Sequence, residues 1–135
     1  MQVLIQIGLV AMGSALGGLA RWGTTLGMAR LLGAAFPYGT LLVNISGSLF
    51  LGWFSTVLAE RLVGSESSWL RPDDLRLMVA VGFTGSFTTF STFEYESHNL
   101  LRDGDGLAAM TYVFVSLFLG LVAVRFGILL ARRMM

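Results

Sequence analysis

The sequence predicts an all-α membrane protein with four transmembrane helices, the third broken near its middle. Three observations carry this reading. Hydrophobic residues make up 55% of the 135-residue chain and charged residues 13%, about half the charged share of a soluble domain. Uncharged runs long enough to cross a hydrocarbon core of about 30 Å recur along the chain. Glycine reaches 17 residues against 2 prolines, as in helices that pack closely inside a bilayer. The long apolar runs exclude disorder.

The first uncharged run covers residues 3–20, about 27 Å as a helix, and continues past Arg21 to give a span at 3–28. The opening MQVLIQIGLV lacks a positive region and a small-residue cleavage signal, so it reads as a retained helix and not a removed leader. Residues 33–39 form the connection, because Pro37 disfavours helix at Phe36. Residues 41–59 then cross the bilayer, within a second span at 39–60. The polar stretch 60–76 holds GSESS and RPDD. Pro72 followed by Asp73 and Asp74 starts a new helix, since proline suits a first turn and acids suit its positive end.

The third span, 74–99, is uncharged from Leu77 to Phe93 but poor in strong helix formers. Gly82 and Gly85 bracket the expected break. Backbone freed there is tolerated in a membrane only when buried in protein or lining a cavity. Arg102 to Gly106 reads as a tight turn, and the fourth span, 107–130, ends before Arg132 and Arg133. The whole chain, 1–135, is then one membrane domain with no room for a soluble one. Four such helices bury little polar chemistry alone, which favours an oligomer.

Nine arginines, with no lysine, oppose eight acids for a formal charge of +1. No basic cluster or arginine-rich arm is present, which argues against nucleic acid as a partner. Cysteine is absent, removing disulfides and thiol chemistry. With alternating helices, the side of the termini holds Arg61, Arg71, Arg76, Arg132 and Arg133, against Arg30, Arg102 and a boundary Arg21. That bias weakly favours both termini inside and leaves insertion in both directions open.

Several residues exceed what a passive bundle needs. Gly8, Gly13, Gly17, Gly23 and Gly27 read as a packing set, with Gly13 and Gly17 forming a GxxxG element. Asn44 lies in an otherwise apolar helix, where an amide needs partners. It serves either as interhelical glue or as a donor lining a polar pathway. Arg21 either snorkels or raises the positive potential at the mouth of an anion path. Thr84, Ser86, Thr88, Thr89, Ser91 and Thr92 place six hydroxyls in nine residues, interleaved with Phe83, Phe87, Phe90 and Phe93. Phe90 and Phe93 share a helical face, and the positive edge of a phenyl ring can meet an anion. Glu96 is three beyond Phe93 and shares that face, whereas Glu94 does not; His98 reads as a surface group. No P-loop, GxSxG or zinc spacing appears, so nothing supports catalysis. A proton-coupled exporter of cations would need an acid deep in a helix, and residues 3–20 and 31–59 hold none. A purely structural membrane subunit would account for the glycines but not for Asn44 beside the hydroxyl and phenylalanine run.

The segment Gly82-Phe83-Thr84-Gly85-Ser86-Phe87-Thr88-Thr89-Phe90-Ser91-Thr92-Phe93 closely resembles the signature of the small bacterial fluoride channel family, the CrcB/Fluc proteins. Gly17-Gly18-Leu19-Ala20-Arg21-Trp22 and Pro37-Tyr38-Gly39-Thr40-Leu41-Leu42-Val43-Asn44 reinforce the likeness, which covers essentially the whole chain. The resemblance implies a passive, fluoride-selective channel of the bacterial inner membrane, exporting cytoplasmic fluoride, and not an enzyme. It implies an antiparallel, dual-topology homodimer with two pores. By the same resemblance Asn44, Phe90, Phe93, Ser91 and Thr92 line the fluoride path, with Arg21 near its vestibule and Glu96 beside the pore. Backbone carbonyls of Gly85 and Thr88 are expected to hold a structural sodium ion at the dimer centre. Ser86 stands where a second glycine is usual and Phe87 where leucine is common, and both bear on that ion site. Thr111, Tyr112 and Ser116 are further hydroxyls able to extend the track along the fourth span.

Overall fold

The computed structural model describes residues 1–62 and 71–135, so the polar GSESS stretch at 64–68 lies outside the described residues. Helix α1 spans Gln2–Leu32. Helix α2 spans Tyr38–Val57 and runs on through a wider π-helical turn at Leu58–Leu62. Helix α3 covers residues 72–87, α4 is Phe90–Arg102 and α5 is Gly106–Arg133. Among the described residues three helices are long and apolar enough to cross a membrane, namely α1, α2 extended to Glu60, and α5. The remaining path is interrupted, with α3 and α4 as its two pieces.

Local chemistry sets the ends. Pro37 directly precedes α2. Pro72 opens α3 with Asp73 and Asp74 in the first turn, where the helix dipole favours negative charge. The Asp105 side chain accepts the Ala108 N–H at 3.0 Å and starts α5. Just before it, Gly104 turns the chain with φ 86°, a conformation that glycine adopts without strain.

The break does not lie between Gly82 and Gly85. The chain leaves regular α geometry earlier, winding as a π-helix over Arg76–Thr84, but stays helical through Gly85–Phe87. It becomes extended only at Thr88 (φ −80°, ψ 159°) and Thr89 (φ −151°, ψ 118°). Glycine therefore marks the approach to the break, while a side chain from α2 fixes its position. Ser86 sits inside the short regular turn, and among the described residues only glycines have positive φ. Its replacement of glycine imposes no left-handed strain.

Small residues let the helices touch backbone to backbone. A methyl at Gly13 would strike the Met78 carbonyl, and one at Gly17 the Phe83 carbonyl, so the GxxxG pair packs α1 on α3. Gly8, Gly23 and Gly27 face open space within the described chain. Within one chain, Gly13 and Gly17 are therefore the members of the packing set that make close contacts. Gly52 lies against the Val124 carbonyl and Gly127 against the Leu49 carbonyl, locking α2 to α5. At one end of the bundle Arg132 Nε donates to Glu60 Oε1 at 3.3 Å, tying the ends of α5 and α2. Large apolar side chains such as Leu4, Phe114, Leu121 and Phe126 stay exposed, as suits a surface whose solvent is lipid.

Candidate functional site

The site is built around the two residues that are not helical. An extended residue presents its N–H and C=O along the same edge, as in a strand, and Asn44 on α2 takes both. The Thr89 N–H donates to Asn44 Oδ1 at 2.8 Å, and Asn44 Nδ2 donates to the Thr89 carbonyl at 3.0 Å. A helical Thr89 would have given its N–H to the Gly85 carbonyl four residues earlier. The amide thus stabilises the open backbone and fixes where it opens. Of the two sequence readings of Asn44 the structure shows the interhelical glue, and a primary amide has a second N–H left for another acceptor.

Phe90 and Phe93 follow on α4, their ring centroids 5.8 Å apart and inclined by 44°. Phe90 is 70% exposed on this chain, whereas Phe93 is 5% exposed and packs on Tyr112 at 5.2 Å. An open cavity of about 350 Å³ brings together Asn44, Thr88, Thr89, Phe90, Phe93 and Ser116. Ser116 is buried, and its Oγ has no hydrogen-bond partner.

The other expected residues are placed differently. Ser91 is exposed, and its hydroxyl lies 3.5 Å from that of Thr89. Thr92 is drawn into the α4 cap, its hydroxyl accepting from Thr89 Oγ1 at 3.0 Å. Neither lines the cavity. Arg21 stands at the level of the break, its guanidinium 3.5 Å from the Thr88 carbonyl. That carbonyl and the one at Gly85 are the expected sodium ligands. The Gly85 oxygen has lost its Thr89 donor to Asn44, and Thr88, with Arg21 on one side of its oxygen, retains a second lone pair. Two carbonyls at a break therefore fit a hard cation's preference for oxygen, although the arginine charge beside Thr88 opposes it.

Glu96 belongs to a second, larger cavity. Its Oε1 accepts from the Thr40 hydroxyl at 2.9 Å, and its Oε2 accepts from the Tyr112 hydroxyl at 2.8 Å. One carboxylate thereby joins α2, α4 and α5. It lines an open cavity of about 440 Å³ at the end of the bundle that holds the 33–37 and 103–105 turns, together with Thr25, Phe36 and Arg102. Glu94 and His98 are exposed. Among the fourth-span hydroxyls, Tyr112 and Ser116 face inward one turn apart, while Thr111 is exposed. Sequence reasoning did not single out Thr40. Its signal was the spacing of four from Asn44, which puts both on one face of α2.

Residues 8–128 match the family described as CrcB-like protein, Camphor Resistance (CrcB). The chain is 42% identical over 123 residues to a protein named fluoride-specific ion channel FluC from Chloroflexus aurantiacus, covering 91% of this chain and 92% of that one. It is also 42% identical over 125 residues to a FluC of Solibacter usitatus (93% and 97%). With a FluC of Coxiella burnetii it shares 37% over 126 residues (93% and 97%). Helices of membrane length, a polar helix break and likeness along nearly the whole sequence agree, and the chain belongs to the CrcB/FluC fluoride channel family, whose members are multi-pass membrane channels and not enzymes.

Proposed function

We propose that this protein, as a single membrane domain, lets cytoplasmic fluoride leave passively across the bacterial inner membrane. It acts as an antiparallel, dual-topology homodimer with two pathways. The observation that carries this reading is the meeting of the Asn44 amide, the Phe90 and Phe93 rings and the Ser116 hydroxyl around one helix break. Fluoride is small and strongly hydrated, so a selective path must replace part of its water shell without holding it. The remaining Asn44 N–H and the unpartnered Ser116 hydroxyl supply directed donors. Ring edges of Phe90 and Phe93 add weaker positive potential. Ser91 and Thr92, in the first turn of α4 just outside that cavity, offer further hydroxyls beside it. No single contact is strong, as conduction requires both entry and exit.

Charges flank this route. Arg21 raises the local potential in favour of an anion. Glu96 would oppose one, but both its oxygens are held by hydroxyl donors, which disperses its charge and fixes its position. The carbonyls of Gly85 and Thr88 would hold the sodium ion with their counterparts from the second copy. That ion would supply a fixed positive charge joining the two breaks.

The test is fluoride efflux from liposomes carrying purified protein, read with a fluoride electrode beside a chloride control. Rapid fluoride release without chloride release is expected. Asn44→Asp should cut that release about tenfold or more, the loss of one good hydrogen bond to a charged group, and Phe90→Ile should lower it by removing the positive ring edge, both with dimer elution unchanged. Parent vesicles that hold folded protein and release no fluoride would sink the channel reading. A mutant that conducts like the parent would remove its residue from the path.

A further inference from the structure

Thr89 was not among the residues expected to line the path, yet every polar group it owns is engaged. Its N–H and carbonyl are clamped by Asn44 at 2.8 and 3.0 Å. Its hydroxyl accepts the Thr92 N–H at 3.3 Å, which caps α4, and donates to Thr92 Oγ1 at 3.0 Å. The residue is 8% exposed. Since its N–H and O–H are both committed inside the protein, Thr89 has no donor left for an ion and is poorly suited to be an anion ligand.

What it does instead follows from connectivity. The Asn44 amide stands on α2, whereas Phe90 and Phe93 stand on the first turn of α4. Thr89 is fastened to both: its peptide is pinned to Asn44 and its side chain closes the turn that carries the rings. A polar site works only when its groups are held to within about half an ångström, and an uncapped helix end leaves its first N–H groups without partners. The β-branched side chain also favours the extended backbone that the Asn44 pairing needs.

We propose that Thr89 is a positioning residue of the ion path, the joint that sets the height and rotation of Phe90 and Phe93 against the Asn44 amide. This rests on the fluoride-channel reading above. The hydroxyls of the TTFST run then divide into two kinds. Thr89 holds the frame, while Ser91, its hydroxyl only loosely held, stays available to an ion.

The experiment compares Thr89→Ser, Thr89→Val and Thr89→Ala with the parent in liposomes, measuring fluoride and chloride release per folded dimer. Serine keeps the cap and should stay within about twofold of the parent in both fluoride rate and fluoride-to-chloride ratio. Valine keeps shape and branching but loses the cap. It should lower fluoride release about tenfold and also lower the fluoride-to-chloride ratio, because the rings no longer stand where the amide needs them. Alanine should behave like valine. A merely structural role would lower the yield of folded protein but leave fluoride release per folded dimer, and its excess over chloride, as in the parent, which overturns the proposal. Valine conducting as the parent does overturns it too, as does loss of fold in both valine and alanine with serine normal, since the hydroxyl would then serve folding alone. Failure of the channel reading is distinct, because it appears in the parent itself as absent fluoride release.

Discussion

Helix α2 makes two unlike seams along its length. Toward its Leu58 end it lies against α5 with only small residues between, Gly52 on the Val124 carbonyl and Gly127 on the Leu49 backbone. Toward Tyr38 it offers Thr40 to Glu96 and Asn44 to Thr89. In the first seam both backbones are helical and satisfied internally, so close approach and dispersion suffice to hold them in lipid. In the second the neighbouring backbone has left the helix, and its freed groups need partners. The comparison teaches that this molecule puts polar side chains where its backbone is irregular, which is also where the proposed anion path runs.

The glycine seam should break first and hardest. Gly127→Leu drives a side chain into the Leu49 and Trp53 backbone, and overpacking that cannot relax costs about 3 kcal/mol or more. Little monodisperse protein is expected on size exclusion. Gly47 sits where the two seams meet, facing the Thr88 methyl and, 3.3 Å from its would-be Cβ, the Phe87 ring. Gly47→Ala should cost about 1–3 kcal/mol in detergent melts. It should also lower fluoride release more than the loss of folded protein explains, because it pushes the break away from Asn44. Should conduction instead track folded protein, the two seams are not coupled through Gly47.

Tyr112→Phe sharpens the polar seam alone. It removes one donor from Glu96 and should cost about 1–2 kcal/mol of thermal stability. The α2–α5 glycine contacts should persist, checked by an unchanged elution volume on size exclusion. The smallest effect belongs at the exposed Glu60 and Arg132 pair, whose side chains are 42% and 57% accessible. Glu60→Gln should move stability by less than about 1 kcal/mol and leave fluoride release as it was.

The unbroken helices were legible because lipid leaves the sequence little choice: residues 3–28, 39–60 and 107–130 are apolar runs of the right length. The caps and turns at Pro72, Asp105 and Gly104 were legible for equally local reasons. The break was legible only as a region. Gly82 and Gly85 gave a local signal, but the backbone opens where a partner 45 positions away takes the Thr89 N–H, and no local pattern carries that. Thr40 was hidden for the same reason. A hydroxyl near a helix start looks ordinary until its acceptor, Glu96, proves to lie 56 positions on. Phe90 and Phe93 share a face as their spacing requires, yet one is exposed and the other buried, a difference set by Tyr112 on α5 and not by their own helix.

The π-helical stretch Arg76–Thr84 gives the chain a reserve of length. A π-helix closes on i→i+5 and not i→i+4 bonds, so it holds more residues for a given path than a regular helix does. Losing one codon there would let the segment tighten to α geometry while Gly85 and the break keep their bearing. The same loss early in α5 would turn every later side chain by about 100° and carry Gly127 away from Leu49. Descendants of this sequence should therefore tolerate the loss of a single residue in a π-helical stretch, Leu58–Leu62 or Arg76–Thr84, better than in α5, provided Met78 and Phe83 keep their seats on Gly13 and Gly17.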